Sequence, residues 1–161
     1  MYMRKFSMSE RMEKMEAMYS LPLQKFVKEL SLEVLFMPDD PAELTRADIN
    51  RPGLPLAGYY EYFDPSRIQI LGFVETYYLQ TLSEEQRKAR IYDFVSRRPV
   101  CMVFARSIEP DPAFLEAAQV YDVPVLRSDR TTSTLDAAVV SHLSVSLAPR
   151  MTQHGVLVEI Y

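Results

Sequence analysis

The residues of this chain best suited to chemistry lie in one polar run, Ser128-Asp129-Arg130-Thr131-Thr132-Ser133, preceded by Arg127. Hydroxyls and a cation at the start of an expected helix admit two readings. Short oxygen side chains cap the free N–H groups of a helix N-terminus. Alternatively, those N–H groups, the helix dipole and Arg127 or Arg130 together take an anion. Parallel sheets bind ligands beyond the carboxyl ends of their strands, so Arg51 and Arg67, which flank expected strands, are further candidate contacts. The other reactive side chains are read as structural. His142 falls on an apolar helical stripe and His154 precedes a strand, placements of core or boundary histidines rather than ligands. The single cysteine, Cys101, cannot form an intrachain disulfide and argues against a structural zinc site. It sits in an expected buried strand, where a thiol is inert. Asp39, Asp40 and Glu43 read as a solvated loop, and a divalent ion there would need ligands from elsewhere. No convergent set of acid, base and nucleophile is visible.

The elements that must position these residues follow from periodicity and turn chemistry. Ser20 is expected to cap a helix over 21–30, with Leu23, Phe26, Val27 and Leu30 as its apolar stripe. Residues 32–36 read as a strand, Pro38-Asp39-Asp40-Pro41 as a loop and 45–49 as a weak strand. Residues 68–71 form a strand ended by Gly72, followed by a helix over 74–81. Ser83 with Gln86 three residues on is a capping-box signature, and Ile91, Phe94 and Val95 form the inner face of that helix. The unbroken apolar run 100–104 marks a strand covered on both faces. Asp111-Pro112 opens a helix ending near Tyr121, residues 123–126 form a short strand, and 133–148 a long helix. Residues 155–160 read as a last strand. Strands alternating with helices at this spacing predict an α/β fold, a mainly parallel sheet between helical layers.

Composition sets the bounds. The 161 residues suffice for one domain with a core of its own. A net charge of −4 with no basic cluster argues against nucleic acid as the main partner. No apolar run is long enough to span a bilayer, so no membrane partner is expected. Residues 1–20 are a Met-rich leader in which Met8, Met12, Met15 and Tyr19 share one helical face, read as a packed tail or as disorder.

The most specific stretch runs from Pro52 to Gly72: Pro52-Gly53-Leu54, then Tyr59-Tyr60-Glu61-Tyr62-Phe63, then Arg67-Ile68-Gln69-Ile70-Leu71-Gly72. Arg51-Pro52-Gly53 reads as a turn, and Gly58 and Gly72 permit tight steps or close backbone approach. The aromatic patch reads as packing, with a stacking platform for a ligand ring as the alternative. In order and content this stretch resembles the N-terminal domain of HPr kinase/phosphorylase. The agreement extends to Glu75, Tyr78 and Leu79, to Pro124-Val125-Leu126, to Thr131-Thr132, and to the run from His154 and Gly155 to Tyr161. It covers roughly residues 21–161, and the signature positions are Pro52, Gly53, Gly58, Phe63, Arg67, Gly72, His154 and Gly155.

The resemblance implies a fold similar to the Mur ligase N-terminal domain, a three-layer α/β/α unit. It implies a parent protein that phosphorylates a serine of the phosphocarrier HPr and reverses that step. None of the chain's four glycines opens a G-x-x-x-x-G-K-[ST] phosphate loop. Phosphoryl transfer is therefore not expected of this chain, and ATP and Mg are expected only in the catalytic domain, with no cofactor here. The expected role is a cytoplasmic assembly or regulatory domain. Its partners would be its own catalytic domain, further copies of itself and, for the parent, HPr. The rival role is a binding module for a nucleotide, sugar phosphate or other anion, with Arg51, Arg67, Arg127, Ser128, Arg130, Thr131 and Thr132 as contacts.

Overall fold

In the computed structural model, residues 7–9 and 19–149 are described. Most of the Met-rich leader, the expected strand 155–160, His154 and Gly155 lie outside the described residues. The described core alternates helices and strands: α1 (Leu23–Glu29), β1 (Glu33–Phe36), β2 (Ile49–Asn50), α2 (Gly53–Leu56), β3 (Ile68–Leu71), α3 (Phe73–Gln80), α4 (Glu84–Ser96), β4 (Met102–Phe104), α5 (Pro112–Tyr121), β5 (Val125–Arg127) and α6 (Thr132–Ser146). The strands form one sheet in the order β1-β5-β4-β3-β2, parallel except for β1, which runs antiparallel to β5.

Local chemistry sets the helix ends. Ser83 Oγ accepts from Gln86 N–H at 3.2 Å and the Gln86 side chain reaches back to Ser83 N–H, the reciprocal box that starts α4. Asp111 accepts from Ala113 N–H at 2.9 Å, and Pro112, which has no N–H to lose, occupies the first turn of α5. Asp122 ends that helix in the left-handed conformation, φ 56°. Thr131 caps α6 by accepting from Thr134 N–H at 3.3 Å.

Four expectations need correction. Ser20 does not cap α1; its hydroxyl donates to Glu43 at 2.7 Å while Pro22 occupies the cap, because Leu21 is tied to Leu44 through a two-way backbone bridge. The 45–49 strand shrinks to Ile49–Asn50, whose only strand partner among the described residues is β3. Pro52-Gly53 opens a single helical turn rather than a turn needing positive φ; Gly58, at φ +99°, is the glycine that needs it. The strand at 123–126 begins two residues late and takes in Arg127, since it is Met102–Phe104 that pairs with 125–127.

Strand alternation divides the core into two apolar layers. Ile68, Ile70, Val103 and Leu126 meet α1 and α6 through Leu23, Phe26, Leu135, Val139 and Leu143. Leu71, Met102, Phe104 and Val125 meet α2 to α5 through Leu56, Leu79, Ile91, Phe94 and Phe114. The result is three-layer α/β/α, with β3 and β4 buried on both faces. One consequence positions the site. The chain leaving β4 turns to the α2–α5 face, whereas the chain leaving β5 turns to the α1–α6 face. Neighbouring loops that diverge in this way open a crevice at the carboxyl ends of the two strands.

Candidate functional site

The crevice is there. Ser107 from the β4–α5 loop, Ser128, Asp129 and Arg130 from the β5–α6 loop, and Ser31 and Glu33 at the start of β1 surround about 400 Å³, with Arg127 at its wall. The two loops are stitched together: Arg106 N–H donates to Arg130 O and Ser107 N–H to Ser128 O, both at 2.8 Å. Ser31, Arg106 and Ser107 all adopt left-handed backbone, φ 53°, 58° and 53°, a conformation non-glycine residues hold only where surrounding contacts impose it.

The arginines of this region differ in charge balance. Arg127 lies across the antiparallel joint, its Nε and Nη2 donating to the two oxygens of Glu33 at 3.0 and 2.8 Å, with Glu109 at 3.4 Å on Nη1. Arg127, by hydrogen bond and charge, holds the Glu33 carboxyl below its usual range. Arg130 donates one N–H to Leu30 O at 2.8 Å and has no ion pair among the described residues. Ser128 is buried, and its Oγ accepts from Arg130 N–H at 3.1 Å.

A second polar cluster sits at the carboxyl ends of β2 and β3. Arg51 donates through Nε to Ile70 O and to Glu75, both at 3.1 Å, and through Nη2 to Glu75 at 2.8 Å. Glu75, only 2% exposed, also accepts from Gly72 N–H at 2.8 Å, so it closes the first turn of α3 while neutralising Arg51. Gly72 is needed for approach rather than for dihedral freedom: a Cβ there would lie 2.6 Å from Thr132 Oγ1. Asp136, one helical turn beyond Thr132, has a buried Oδ1 with no hydrogen-bond partner among the described residues. Burial, and secondarily the Glu75 charge, raise its pKa against the pull of Arg51.

The residues singled out in the sequence therefore divide among three places. Arg127, Ser128 and Arg130 meet at the crevice. Thr131 caps α6, and buried Thr132 joins the Arg51 cluster through Gly72. Arg67 stands at the opposite, amino end of β3, 3.7 Å from Asp48 and 3.9 Å from Asp64. Its Nε is buried without a hydrogen-bond partner among the described residues. Phe63 packs edge-on between Tyr60 and Phe94 at 5.7 and 5.8 Å. Pro52 and Gly53 start α2, and the Arg90 guanidinium fills the space beside Gly58 while donating to Ala57 O. His142 bridges α6 to α1 through Glu29 at 3.1 Å, and burial pushes the Cys101 thiol up. Among the described residues no group of three or more His, Cys, Asp or Glu side chains is arranged for a metal ion. Ser31, Glu33 and Ser107 were missed because they enter the crevice from distant segments. Glu75 and Asp136 carried fainter signals, the first at the third helical position after Gly72, the second four residues after Thr132 on one helix face.

A family model described as HPr Serine kinase N terminus matches residues 21–143. The chain is 39% identical over 146 residues to an HPr kinase/phosphorylase of Lachnoclostridium phytofermentans, covering 89% of this chain and 47% of that protein. A counterpart from Clostridium perfringens is 37% identical over 139 residues, covering 86% and 45%. The chain thus spans somewhat under half the length of these relatives. Among solved structures, the CBS and DRTGG domains of the regulatory region of Clostridium perfringens pyrophosphatase align with a TM-score of 0.49 at 14% identity, covering 80% of this chain and 51% of that one. With its signature stretch lying between β2 and α3 and the family match extending from α1 into α6, the chain belongs to the HPr serine kinase N-terminal family.

Proposed function

We propose that this chain is the non-catalytic N-terminal domain of a bifunctional HPr serine kinase/phosphorylase. It acts in the cytoplasm, in carbon catabolite regulation through the sugar phosphotransferase system. Its work is assembly and positioning: it packs against neighbouring subunits and sets the geometry of the catalytic domains joined to it. The observation that carries this reading is the match to the N-terminal portion of relatives named HPr kinase/phosphorylase, on a sequence without a phosphate-cradling loop. ATP and Mg belong, on this reading, to the catalytic domain. No helix among the described residues is long and apolar enough to cross a membrane. The purified chain, given labelled ATP and HPr, is expected to transfer no phosphate; turnover by a clean preparation overturns the reading.

An assembly surface is also supported. Leu54 of α2 and Phe73, Val74 and Tyr77 of α3 are exposed on two helices that pack together, and Tyr62 nearby is 93% exposed. Contiguous apolar groups left to water mark contact surfaces. Light scattering of the chain is expected to show self-association that Val74→Glu with Tyr77→Glu abolishes; a monomer at every concentration rules it out.

A further inference from the structure

We propose that the crevice between the β4 and β5 loops is a binding site for a small ligand carrying a single oxyanion of the phosphate class. Arg130 and the hydroxyls of Ser31, Ser107 and Ser128 hold the oxyanion. The site goes beyond the assembly role and does not depend on it.

Three observations converge. Among the described residues, the crevice lies at the one place in the parallel sheet where the connections leaving neighbouring strands turn to opposite faces, and its roughly 400 Å³ is enough for a small metabolite. Second, the candidate arginines are neutralised by carboxylates elsewhere: Arg51 by Glu75, Arg67 by Asp48 and Asp64, Arg127 by Glu33 and Glu109. Among the described residues Arg130 is the exception. Its guanidinium is oriented by Leu30 O at 2.8 Å and keeps further N–H donors for a ligand. Third, the donors are held in place before any ligand arrives. Ser128 Oγ accepts from the Arg130 N–H, which leaves its O–H free to donate. The backbone bonds from Arg106 to Arg130 and from Ser107 to Ser128 fix the two loops against each other, so little ordering remains to be done on binding.

The lining also limits the ligand. Asp129 and Glu33 also line the crevice, and their carboxylates oppose a second negative group while accepting from hydroxyl or amine donors. A monoester with hydroxyls fits this arrangement; a polyphosphate does not.

Titration of the ¹⁵N-labelled chain with inorganic phosphate at constant ionic strength tests the proposal. Saturable shifts are expected at the amides of Ser107, Ser128, Asp129 and Arg130. Arg130→Gln should weaken binding about tenfold or more, the usual worth of a charged hydrogen bond. Ser107→Asp, compatible with left-handed backbone, should abolish binding by placing a carboxylate in the crevice. Arg67→Gln, at the other end of the sheet, should leave the affinity unchanged. Ribose 5-phosphate should bind more tightly than phosphate, and tripolyphosphate no more tightly. Shifts that never saturate, that scatter over the surface, or that survive both crevice variants show an adventitious ion only and overturn the site. None of these results bears on phosphate transfer to HPr or on self-association.

Discussion

At the scale of single residues, the Arg51–Glu75–Asp136 cluster holds two carboxylates against one guanidinium. Glu75 is satisfied on both oxygens, whereas Asp136 keeps a buried oxygen without a partner among the described residues. Burial raises the Asp136 pKa above its ordinary value, so ionising it costs more in the fold than in the unfolded chain. A raised carboxyl favours the fold while protonated, and its contribution is lost as pH climbs from the unfolded value of about 4 through the folded one. Asp136→Asn is therefore expected to stabilise the protein at neutral pH by about 1 kcal/mol, with the gain fading toward acid pH. Urea unfolding at acid and neutral pH measures both parts; destabilisation at neutral pH would show that the ionised carboxylate is favourable to the fold. Glu75→Gln should act in the opposite sense, costing about 3 kcal/mol by leaving the Arg51 guanidinium without its charge partner. A loss below about 1 kcal/mol would mean that solvent screens the pair as it does at a surface. The sequence displayed Arg51 as a candidate ligand contact and Glu75 as part of the family resemblance. Their pairing, across 24 positions, was not legible, because periodicity describes one element at a time.

At the scale of elements, the caps were the most legible features. Ser83 and Asp111 were identified as helix starts from residue type and spacing, and the run 128–133 was read as either a cap or an anion site; the side chains of Ser83, Asp111 and Thr131 each accept the N–H expected of a cap. Ser83→Ala should cost about 1 kcal/mol. Asp111→Ala should cost more, because the same carboxylate also holds Arg87 at 2.8 Å and ties α5 to α4. Chemical denaturation of the two variants side by side decides this, and equal losses would mean that the Arg87 pair adds nothing. Ser20 shows where such reasoning fails: it is a good capping residue, yet its hydroxyl bonds Glu43, 23 positions away. The local rule lost to a long-range contact made possible by the Leu21–Leu44 bridge. The two-residue β2 was overestimated for a related reason, since a β-prone run extends only as far as a partner strand supports it.

At the scale of the whole molecule, the two apolar layers and the divergence of the β4 and β5 connections govern stability and site alike. Phe104 and Phe114 stack edge-on at 5.0 Å beneath the β4–α5 loop. Phe114→Leu should cost about 1–2 kcal/mol as a partial cavity. It should also loosen the loop that carries Ser107, visible as faster amide hydrogen exchange at Arg106 and Ser107 than across the rest of the sheet. Uniform acceleration over the sheet would mean that the loop is not separately anchored. Residue types and their order were enough to determine the α/β class, the run of elements apart from the short α2, the capped starts of α4 and α5, and the resemblance carried between Pro52 and Gly72. These depend on near neighbours in the chain, where spacing and turn chemistry act directly. Only the tertiary structure decided that Arg127 has carboxylate partners and Arg130 none among the described residues, that Arg67 faces the opposite end of the sheet, and that Ser31 and Ser107 join the β5–α6 loop. Those outcomes depend on which strands lie side by side and to which face each crossover turns. That choice is made by burying both layers at once, and it appears in no window of sequence short enough to read.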